Sequence, residues 1–321
     1  MKNTKKILIM LLVLLTLGTS FAFASSAYSL DDAQPGTESD VQDANPRYSG
    51  WKQIDSDIYF YKSDGTKTTG WTKINKRIFH FKSNGKLSLG LTKIGKKSFY
   101  FKKTGALGTK GVLQTGWTKI KKYKYYFKPS GKLGTKGKMI TNRIAGSKKS
   151  GYAYVNSKGV KITSKPIKLA VKLVNKKTKS SQSKSKKLKA CFNYIKKNFA
   201  YQRRYGIPNA KTFAREAEYM LKNKKGNCFC YASSFAYVAR VLGYDSRVNQ
   251  GVITTVAGGP DTHGWTEVKI GKKWYLFDIS MHNRLNTNLY KKLKGEYPHK
   301  YKYYNRYVLS FSKDKAIWKK G

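Results

Sequence analysis

A repeat of about 20 residues constrains the fold more than any other feature of the sequence. Four units open on Gly-Trp or Gly-Leu, at Gly50, Gly70, Gly90 and Gly116, which are 20, 20 and 26 residues apart. Each unit continues with a basic turn, an aromatic triplet and a second Gly turn, and this order predicts two short strands joined as a hairpin. Because a lone hairpin is only marginally stable, neighbouring hairpins must bury their aromatic residues against each other. The repeat therefore predicts an all-β hairpin-repeat solenoid over residues 48–162.

The aromatic residues of the repeat have two candidate roles: most would form the core, and some would line shallow pockets at the seams between units. The units resemble the cell-wall-binding repeats of choline-binding and glucan-binding surface proteins. In that family, cages of aromatic rings hold choline through cation–π contacts. The resemblance implies that the chain contacts its ligand through Trp51, Tyr59, Trp71, Phe79, Phe99, Trp117 and Tyr125.

The resemblance has one departure, which concerns the ligand. Choline binders usually place a second Trp just before the Tyr pair, and the corresponding residues here are Ile58, Ile78, Ser98 and Lys124. The expected partner is a cell-wall polymer, and a choline-like group, a glucan and an anionic teichoic acid all stay open. The many Lys residues favour an anionic polymer or are simply a solvated face.

Net charge and the N-terminal residues predict where the protein works. The chain has 66 Lys and Arg against 16 Asp and Glu, a formal charge of +50, which attracts polyanions. Lys residues precede an apolar run from Ile7 to Leu17, and Ala22-Phe23-Ala24 fits a cleavage site. This order predicts a signal peptide over residues 1–24, and hence a secreted, cell-wall-associated protein with no transmembrane segment after cleavage. Export excludes nucleic acid as the natural partner.

Two further segments have the composition of linkers. Residues 25–47 are acidic and poor in apolar residues, which predicts a disordered linker. Residues 163–183 are predicted to be a basic linker, since seven Lys and no acidic residue lie between Lys176 and Lys189 and such a stretch repels itself.

The cysteine and histidine residues predict neither a disulfide framework nor a metal site. The three Cys residues are Cys191, Cys228 and Cys230, and their Cys-x-Cys spacing is not typical of zinc ligands. The scattered His80, His282 and His299 are interpreted as surface or packing residues. We expect no metal and no cofactor.

Residues 184–321 are predicted to form a mixed α+β domain in which three polar residues converge. Gly226-Asn227 ends one segment, and a helix is predicted to start at Cys228, where unpaired N–H groups favour a thiolate. A predicted hairpin around Gly271-Lys272 sets His263 roughly across from Asp278. A His held by a carboxylate near a Cys on a helix tip is the arrangement needed for nucleophilic catalysis.

The ordered set of motifs in this domain resembles the transglutaminase-like branch of the papain-like enzymes. The motifs are Gly226-Asn227-Cys228-Phe229-Cys230-Tyr231-Ala232, His263-Gly264-Trp265 and Asp278. The resemblance implies a papain-like fold with Cys228 as nucleophile, His263 as base and Asp278 as orienting acid. It also implies an upstream oxyanion donor, for which Tyr201 and Gln202 are the candidates.

The resemblance further implies acyl transfer from a peptide or protein amide substrate through a thioester. Hydrolysis would make the domain a peptidase or amidase, and an amine acceptor would make it a crosslinking transglutaminase; the same residues serve both. The alternative is a non-catalytic surface adhesin in which the papain-like domain is a scaffold.

Overall fold

The structure is a computed structural model, and it describes residues 48–254, 259–285, 287–296 and 301–321. The predicted signal peptide (1–24) and acidic linker (25–47) lie outside these residues, and so does His299. Among the helices of the described ranges, none has the length and apolarity needed to cross a membrane.

The described part of the N-terminal half contains five antiparallel hairpins: one for each of the four units of the repeat, and a fifth after them. Their strands are β1 (Gly50–Ile54) and β2 (Asp57–Tyr61), β3 (Gly70–Ile74) and β4 (Arg77–Phe81), β5 (Gly90–Ile94) and β6 (Lys97–Phe101), β7 (Gly116–Ile120) and β8 (Tyr123–Phe127), and β9 (Arg143–Ser147) and β10 (Gly151–Val155). Asn75 and Lys76, which join β3 to β4, have φ angles of 47° and 64°, as a tight two-residue hairpin turn requires.

Backbone hydrogen bonds and shared aromatic packing join consecutive hairpins. The Leu87 N–H, which follows the second hairpin, donates to the Ile58 carbonyl of the first hairpin at 2.8 Å. The Trp51 ring of the first hairpin lies 4.9 Å, centroid to centroid, from the Phe79 ring of the second. The expectation that most aromatic residues of the repeat form the core is confirmed, while a regular solenoid stays a prediction.

The C-terminal half combines helices with one antiparallel sheet. The helices are α1 (Lys165–Lys177), α2 (Lys184–Asn198), α3 (Phe213–Asn223), α4 (Cys228–Val241) and α5 (Ile279–Leu285), with a 3-10 turn at Lys294–Glu296. The strands are β11 (Ala200–Tyr201), β12 (Lys225–Gly226), β13 (Asp245–Thr254), β14 (Pro260–Ile270), β15 (Lys273–Phe277), β16 (Tyr301–Ser312) and β17 (Lys315–Lys320). The sheet has the order β15-β14-β13-β16-β17, and β11 and β12 form a separate short parallel pair.

Helix α4 occupies the centre of this half. It contacts α1, α3 and the strands β13 and β14, and all of its residues except Arg240 are buried. Its apolar neighbours include the fully buried Phe192 and Phe277. A helix that is apolar on every side is stable only inside a core, so this packing fixes the position of its first residue, Cys228.

The prediction of a basic linker over residues 163–183 is wrong for most of that range. Lys165–Lys177 form α1, with Pro166 in its first turn. Its buried residues Ile167, Ala170, Val171 and Val174 recur at helical spacing and pack into the same core as α4. The Lys residues lie on the other side of the helix, where water solvates them, so their mutual repulsion does not prevent folding.

The last hairpin contacts the C-terminal half directly. The Tyr154 ring packs against Phe311 of β16 with 5.3 Å between the ring centroids, and the Thr163 N–H donates to the Asp314 carbonyl at 2.9 Å. Tyr154 is fully buried, so the boundary between the repeats and the second half is a packed contact.

Candidate functional site

The candidate nucleophile lies at the first position of α4, as the sequence predicts. Asn227 caps this helix: its side-chain oxygen accepts a hydrogen bond from the Cys230 N–H at 3.1 Å, and its amide donates to the Arg204 carbonyl at 3.1 Å. The two bonds fix the chain that enters the helix. Cys228 is 6% exposed, and its side chain lines a cleft.

His263 and Asp278 come together because of the register of two strands. In the β14–β15 hairpin, Thr266 pairs with Phe277, so Asp278 follows the last paired residue. His263 Nε2 lies 2.6 Å from Asp278 Oδ2, and both side chains are almost completely buried. The Trp265 ring stacks on His263 with 6.2 Å between the centroids, which restrains the imidazole further.

The carboxylate that holds His263 is itself fixed by two donors. Asp278 Oδ1 accepts hydrogen bonds from the Ser280 hydroxyl at 2.9 Å and from the Met281 N–H at 3.1 Å. The second of these caps the start of α5. The carboxylate therefore keeps its orientation, and its contact with Nε2 leaves the other ring nitrogen, Nδ1, available on the opposite side of the ring.

The charge distribution favours a protonated His263. Burial lowers the pKa of His263, but the charges of Asp278 and Cys228, and the hydrogen bonds that the imidazole makes to both, raise it above its ordinary value. The raising contributions prevail because two acidic groups flank one ring. This environment favours an imidazolium beside the Cys228 sulfur, and a His placed next to a thiol and a carboxylate is the arrangement that a cysteine nucleophile and its base require.

The cleft beside these residues has a volume of about 510 Å³. Cys228 and His263 open into it, and the buried side chains of Tyr231, Ile253 and Met281 give it an apolar lining. The cleft is thus large enough for a side chain or short peptide segment next to the thiol.

The two candidate oxyanion donors are placed differently. Tyr201 lines the cleft with Cys228 and is 61% exposed. Gln202 is not part of the cleft lining, and its side-chain oxygen accepts a hydrogen bond from the Tyr219 hydroxyl at 2.9 Å. Adjacent residues of an extended segment point to opposite sides; the structure therefore contradicts the prediction for Gln202 and leaves Tyr201 as the candidate.

Tyr304, which no pattern in the sequence indicates as a site residue, lies near the candidate nucleophile. Gln250 of β13 pairs with Asn305 and the next residue, Gly251, pairs with Tyr303, so Tyr304 is the extra residue of a β-bulge in β16. Bulges change the direction in which a side chain points and are common next to active sites. Burial raises the pKa of Tyr304, and the charge of Cys228 adds to this effect.

The other two Cys residues lie in a different environment. Cys191 and Cys230 are completely buried, and burial raises the pKa of the Cys191 thiol to about 12. Burial, together with the hydrogen bond that Cys230 Sγ donates to Glu216 Oε2 at 3.2 Å, raises the pKa of Cys230 to about 12 as well. Both are therefore poor nucleophiles at neutral pH.

The aromatic residues predicted to contact a wall ligand fall into two groups. Phe79 (0% exposed) and Phe99 (1%) are core residues, and Tyr59 is also buried, so a direct contact between the two Phe rings and a ligand is ruled out. Trp51, Trp71, Trp117 and Tyr125 are partly exposed. The prediction failed for the Phe residues because stacking of the hairpins buries one residue of the first triplet and two residues of each of the other three.

Lysine side chains already cover two of these rings. Lys67 Nζ lies 4.5 Å from the centroid of Tyr59, and Lys161 Nζ lies 4.9 Å from the centroid of Trp117. These contacts are of the cation–π type that a choline group would otherwise make.

A larger cavity, of about 740 Å³, lies between the hairpin β9–β10 and the helices α1 and α2. Its lining contains the cationic Arg143, Lys184 and Lys187 and no acidic residue. It contains none of the predicted site residues. Within the described ranges, no group of three or more His, Cys, Asp or Glu is arranged to hold a metal ion.

Two family models match the chain. Residues 171–279 match the transglutaminase-like superfamily, and residues 69–87 and 115–133 match a cell wall binding repeat. The first match begins inside α1, which agrees with the packing of that helix into the C-terminal core. The chain therefore contains a transglutaminase-like core preceded by cell wall binding repeats.

Solved structures that resemble the chain include two choline-binding proteins and an endolysin. Choline binding protein F from Streptococcus pneumoniae, solved with a peptidoglycan analogue, is 20% identical over 36% of this chain and 34% of that chain, with a TM-score of 0.28. The choline binding domain of another Streptococcus pneumoniae protein is 28% identical over 29% of this chain and 95% of that domain, with a TM-score of 0.22. The pneumococcal cell wall endolysin from phage Cp-1, complexed with choline, is 28% identical over 36% of this chain and 30% of that chain, with a TM-score of 0.23.

The chain spans about a third of the length of choline binding protein F. No curated protein sequence matches the chain significantly.

Proposed function

From a transglutaminase-like core that follows cell wall binding repeats, we propose that the protein is a secreted, cell-wall-associated cysteine enzyme that transfers acyl groups from amide bonds. The observation that carries this proposal is the buried His263–Asp278 pair, 2.6 Å apart, whose imidazole is also influenced by the Cys228 thiol. The resemblance supplies the roles, and the geometry supports them.

The proposed reaction begins with the Cys228 thiolate and the His263 imidazolium. The sulfur attacks the amide carbonyl, a carbon–sulfur bond forms, and the carbonyl oxygen becomes an oxyanion. The proposed donors to that oxyanion are the first N–H groups of α4 and the hydroxyl of Tyr201, which lines the same cleft. His263 then gives its proton to the amide nitrogen, and the carbon–nitrogen bond breaks. The amine leaves, and the acyl group stays on Cys228 as a thioester.

The second half of the reaction regenerates the thiolate. Neutral His263 takes a proton from water or from an amine, the resulting nucleophile attacks the thioester, and sulfur leaves with its electron pair. Asp278 keeps the imidazole oriented in both halves, because its second oxygen is held by Ser280 and Met281. Water as the acceptor gives a peptidase or amidase, and an amine gives a transamidase.

The repeats are proposed to hold the enzyme on a cell-wall polymer. Lys67 and Lys161 cover aromatic rings that a choline group would need, and this favours an anionic polymer such as a teichoic acid over choline. We expect the protein to bind to walls that carry the polymer. Salt should elute the bound protein, and free choline should not. Elution by choline alone would contradict the preference for an anionic polymer.

Alkylation of individual thiols tests the catalytic proposal. We expect iodoacetamide at neutral pH to modify Cys228 rapidly, while Cys191 stays unmodified because its thiol is buried and its pKa is raised. Cys228→Ala should abolish labelling of the folded protein, and Cys191→Ala is the matched control that should leave it unchanged. His263→Ala should slow the labelling of Cys228 by about 100-fold or more.

Unchanged labelling in Cys228→Ala, or a Cys228 that reacts no faster than a thiol in a short peptide, would contradict the enzymatic proposal. It would favour the alternative of a surface adhesin that uses this domain as a scaffold.

A further inference from the structure

Within the described residues, one carboxylate of the C-terminal half forms no ion pair and no hydrogen bond. Eight acidic residues lie between residues 163 and 321. Seven of them have an ion pair or a hydrogen bond through a carboxylate oxygen, namely Glu216, Glu218, Asp245, Glu267, Asp278, Glu296 and Asp314. Among the residues that the structure describes, only Asp261 of these eight has neither.

Asp261 lies beside the candidate catalytic residues. It is two residues before His263 on β14, and side chains two apart on a strand lie on the same face, with Cα atoms about 7 Å apart. Its cross-strand partner is Ile253. Asp261, Ile253 and His263 all line the cleft that contains Cys228.

The remainder of the cleft offers apolar surface. Ile253 and Met281 are each 4% exposed, and Tyr231, whose hydroxyl is already used by the Phe199 carbonyl at 2.6 Å, presents its ring. Asp261 itself is exposed. A group that fits this combination has an apolar stem to cover the lining and a positive charge at its end to pair with the carboxylate.

The high positive net charge of the protein makes an unpaired carboxylate unusual in this chain. A chain with a formal charge of +50 repels cations. An unpaired carboxylate in the cleft of Cys228 opposes that repulsion locally, and an ion pair with substrate is the interaction it can still form.

We propose that Asp261 is a specificity-determining residue that makes the cleft select substrate groups consisting of an alkyl stem with a terminal ammonium. The inference rests on the proposed function, because it concerns the cleft of the proposed nucleophile. The ammonium can belong to the side chain of an amide donor or to an amine acceptor, and the two share the chemistry that Asp261 recognises.

Charged thiol reagents test this selectivity without knowledge of the substrate. Alkyl methanethiosulfonates are available with neutral (methyl), cationic (2-aminoethyl) and anionic (2-sulfonatoethyl) groups. In each, the thiolate attacks the sulfenyl sulfur, a mixed disulfide forms, and methanesulfinate leaves with the electron pair. The rate of modification of Cys228, followed by mass spectrometry of its peptide, is measured for all three reagents on the full chain.

We expect Asp261→Asn to lower the ratio of the cationic rate to the anionic rate by about tenfold, the effect of one unit charge about 7 Å away in surroundings close to water. The matched control is Asp55→Asn, which removes the same charge in the β1–β2 turn of the first hairpin, where a φ of 53° suits Asn. It should leave the ratio unchanged. An equal ratio in wild type and Asp261→Asn, or an equal fall in Asp55→Asn, would overturn the inference.

The neutral reagent separates this failure from failure of the proposed function. Slow modification of Cys228 by the methyl reagent in wild type would contradict the catalytic proposal, whatever the charge ratio. Rapid modification with a ratio that Asp261 does not affect would contradict the specificity proposal alone.

Two further arms distinguish the source of the ammonium. In the first, wild type and Asp261→Asn are compared for cleavage of Lys-containing peptide amides against the same peptides with norleucine. In the second, they are compared for incorporation of 1,5-diaminopentane against pentylamine into cell-wall proteins. If wild type prefers the cationic compound in one arm and Asp261→Asn loses that preference, the inference is supported and the source is identified. If neither arm shows such a preference, the inference is overturned.

Discussion

Asp278→Asn separates the charge of the candidate triad from its shape. The amide has nearly the size of the carboxylate, and its oxygen can still accept the hydrogen bonds that Ser280 and Met281 donate to Asp278 Oδ1. Asn is as good a helix cap as Asp. What the substitution removes is the negative charge beside the buried His263.

The magnitude follows from the geometry of the pair. His263 Nε2 and Asp278 Oδ2 are 2.6 Å apart, which places the centres of the two charged groups about 4 Å apart, and at an effective dielectric constant of about 20 their attraction is about 4 kcal/mol. Since each 1.4 kcal/mol is a factor of ten, the thiolate–imidazolium state loses up to about a thousandfold relative to the neutral pair. We expect the alkylation rate of Cys228 at pH 7 to fall by about 100-fold to 1,000-fold, because the introduced amide keeps its oxygen on Ser280 and Met281 and turns its NH2 group, which cannot accept a hydrogen bond, toward His263 Nε2.

The pH dependence of stability gives a second measurement on the same variant. Burial lowers the folded-state pKa of His263, but Asp278 and Cys228 raise it by more, so the net shift is upward. Its contribution to stability is therefore fully present below about pH 6.5 and is lost as the pH rises through the raised value. In wild type, the free energy of unfolding measured in urea should decrease over that alkaline window, and in Asp278→Asn the decrease should be much smaller.

Asp245→Asn is the control, since Asp245 pairs with Arg240 through an exposed carboxylate and should affect neither measurement by more than a few tenths of a kcal/mol. If folded Asp278→Asn had the alkylation rate and the pH profile of wild type, the electrostatic reasoning would be refuted.

Two further predictions concern packing. A Cβ at position 264 would lie 2.4 Å from the Phe229 ring, so Gly264→Ala should destabilise the protein by about 1–3 kcal/mol in urea unfolding. The control is Gly259→Ala, whose Cβ would meet nothing within 4 Å. Equal stability of the two variants would contradict the close packing. Ile167→Ala should cost about 2–5 kcal/mol because Ile167 is completely buried in α1, whereas Lys168→Ala on the exposed side should cost less than about 0.5 kcal/mol; a neutral Ile167→Ala would restore the linker interpretation of residues 163–183.

Local sequence signals predicted the elements on which the candidate site is built. The Gly-Trp repeat predicted the hairpins, and Gly226-Asn227 followed by an apolar stretch predicted a helix that begins at Cys228, because turn residues and caps act within a few positions. The contact of His263 with Asp278 was also within reach, since one short hairpin fixes both residues.

Other features depend on contacts that are distant in sequence. The direction of Tyr304 follows from a bulge opposite Gly251, which only the pairing of β13 with β16 reveals. Phe79 was assigned to the ligand surface because nothing within its own unit shows which aromatic residue the next hairpin buries. In α1, the spacing of Ile167, Ala170, Val171 and Val174 was readable as an amphipathic helix, and the Lys content outweighed it wrongly.

Direct detection of an acyl-enzyme tests the central claim, that Cys228 attacks an amide carbonyl. Full-length protein is mixed with purified cell-wall peptides and proteins, quenched in acid within a fraction of a second to minutes, and digested, and the peptide that contains Cys228 is weighed by mass spectrometry. We expect an added acyl mass on Cys228 that hydroxylamine removes, as it does from a thioester, and that accumulates less in Asp278→Asn. The claim would be contradicted if Cys228 stayed unmodified at all times. This outcome counts when the Cys228 thiol still reacts rapidly with iodoacetamide and the wall peptides and proteins that carry the amide bonds are supplied in soluble form.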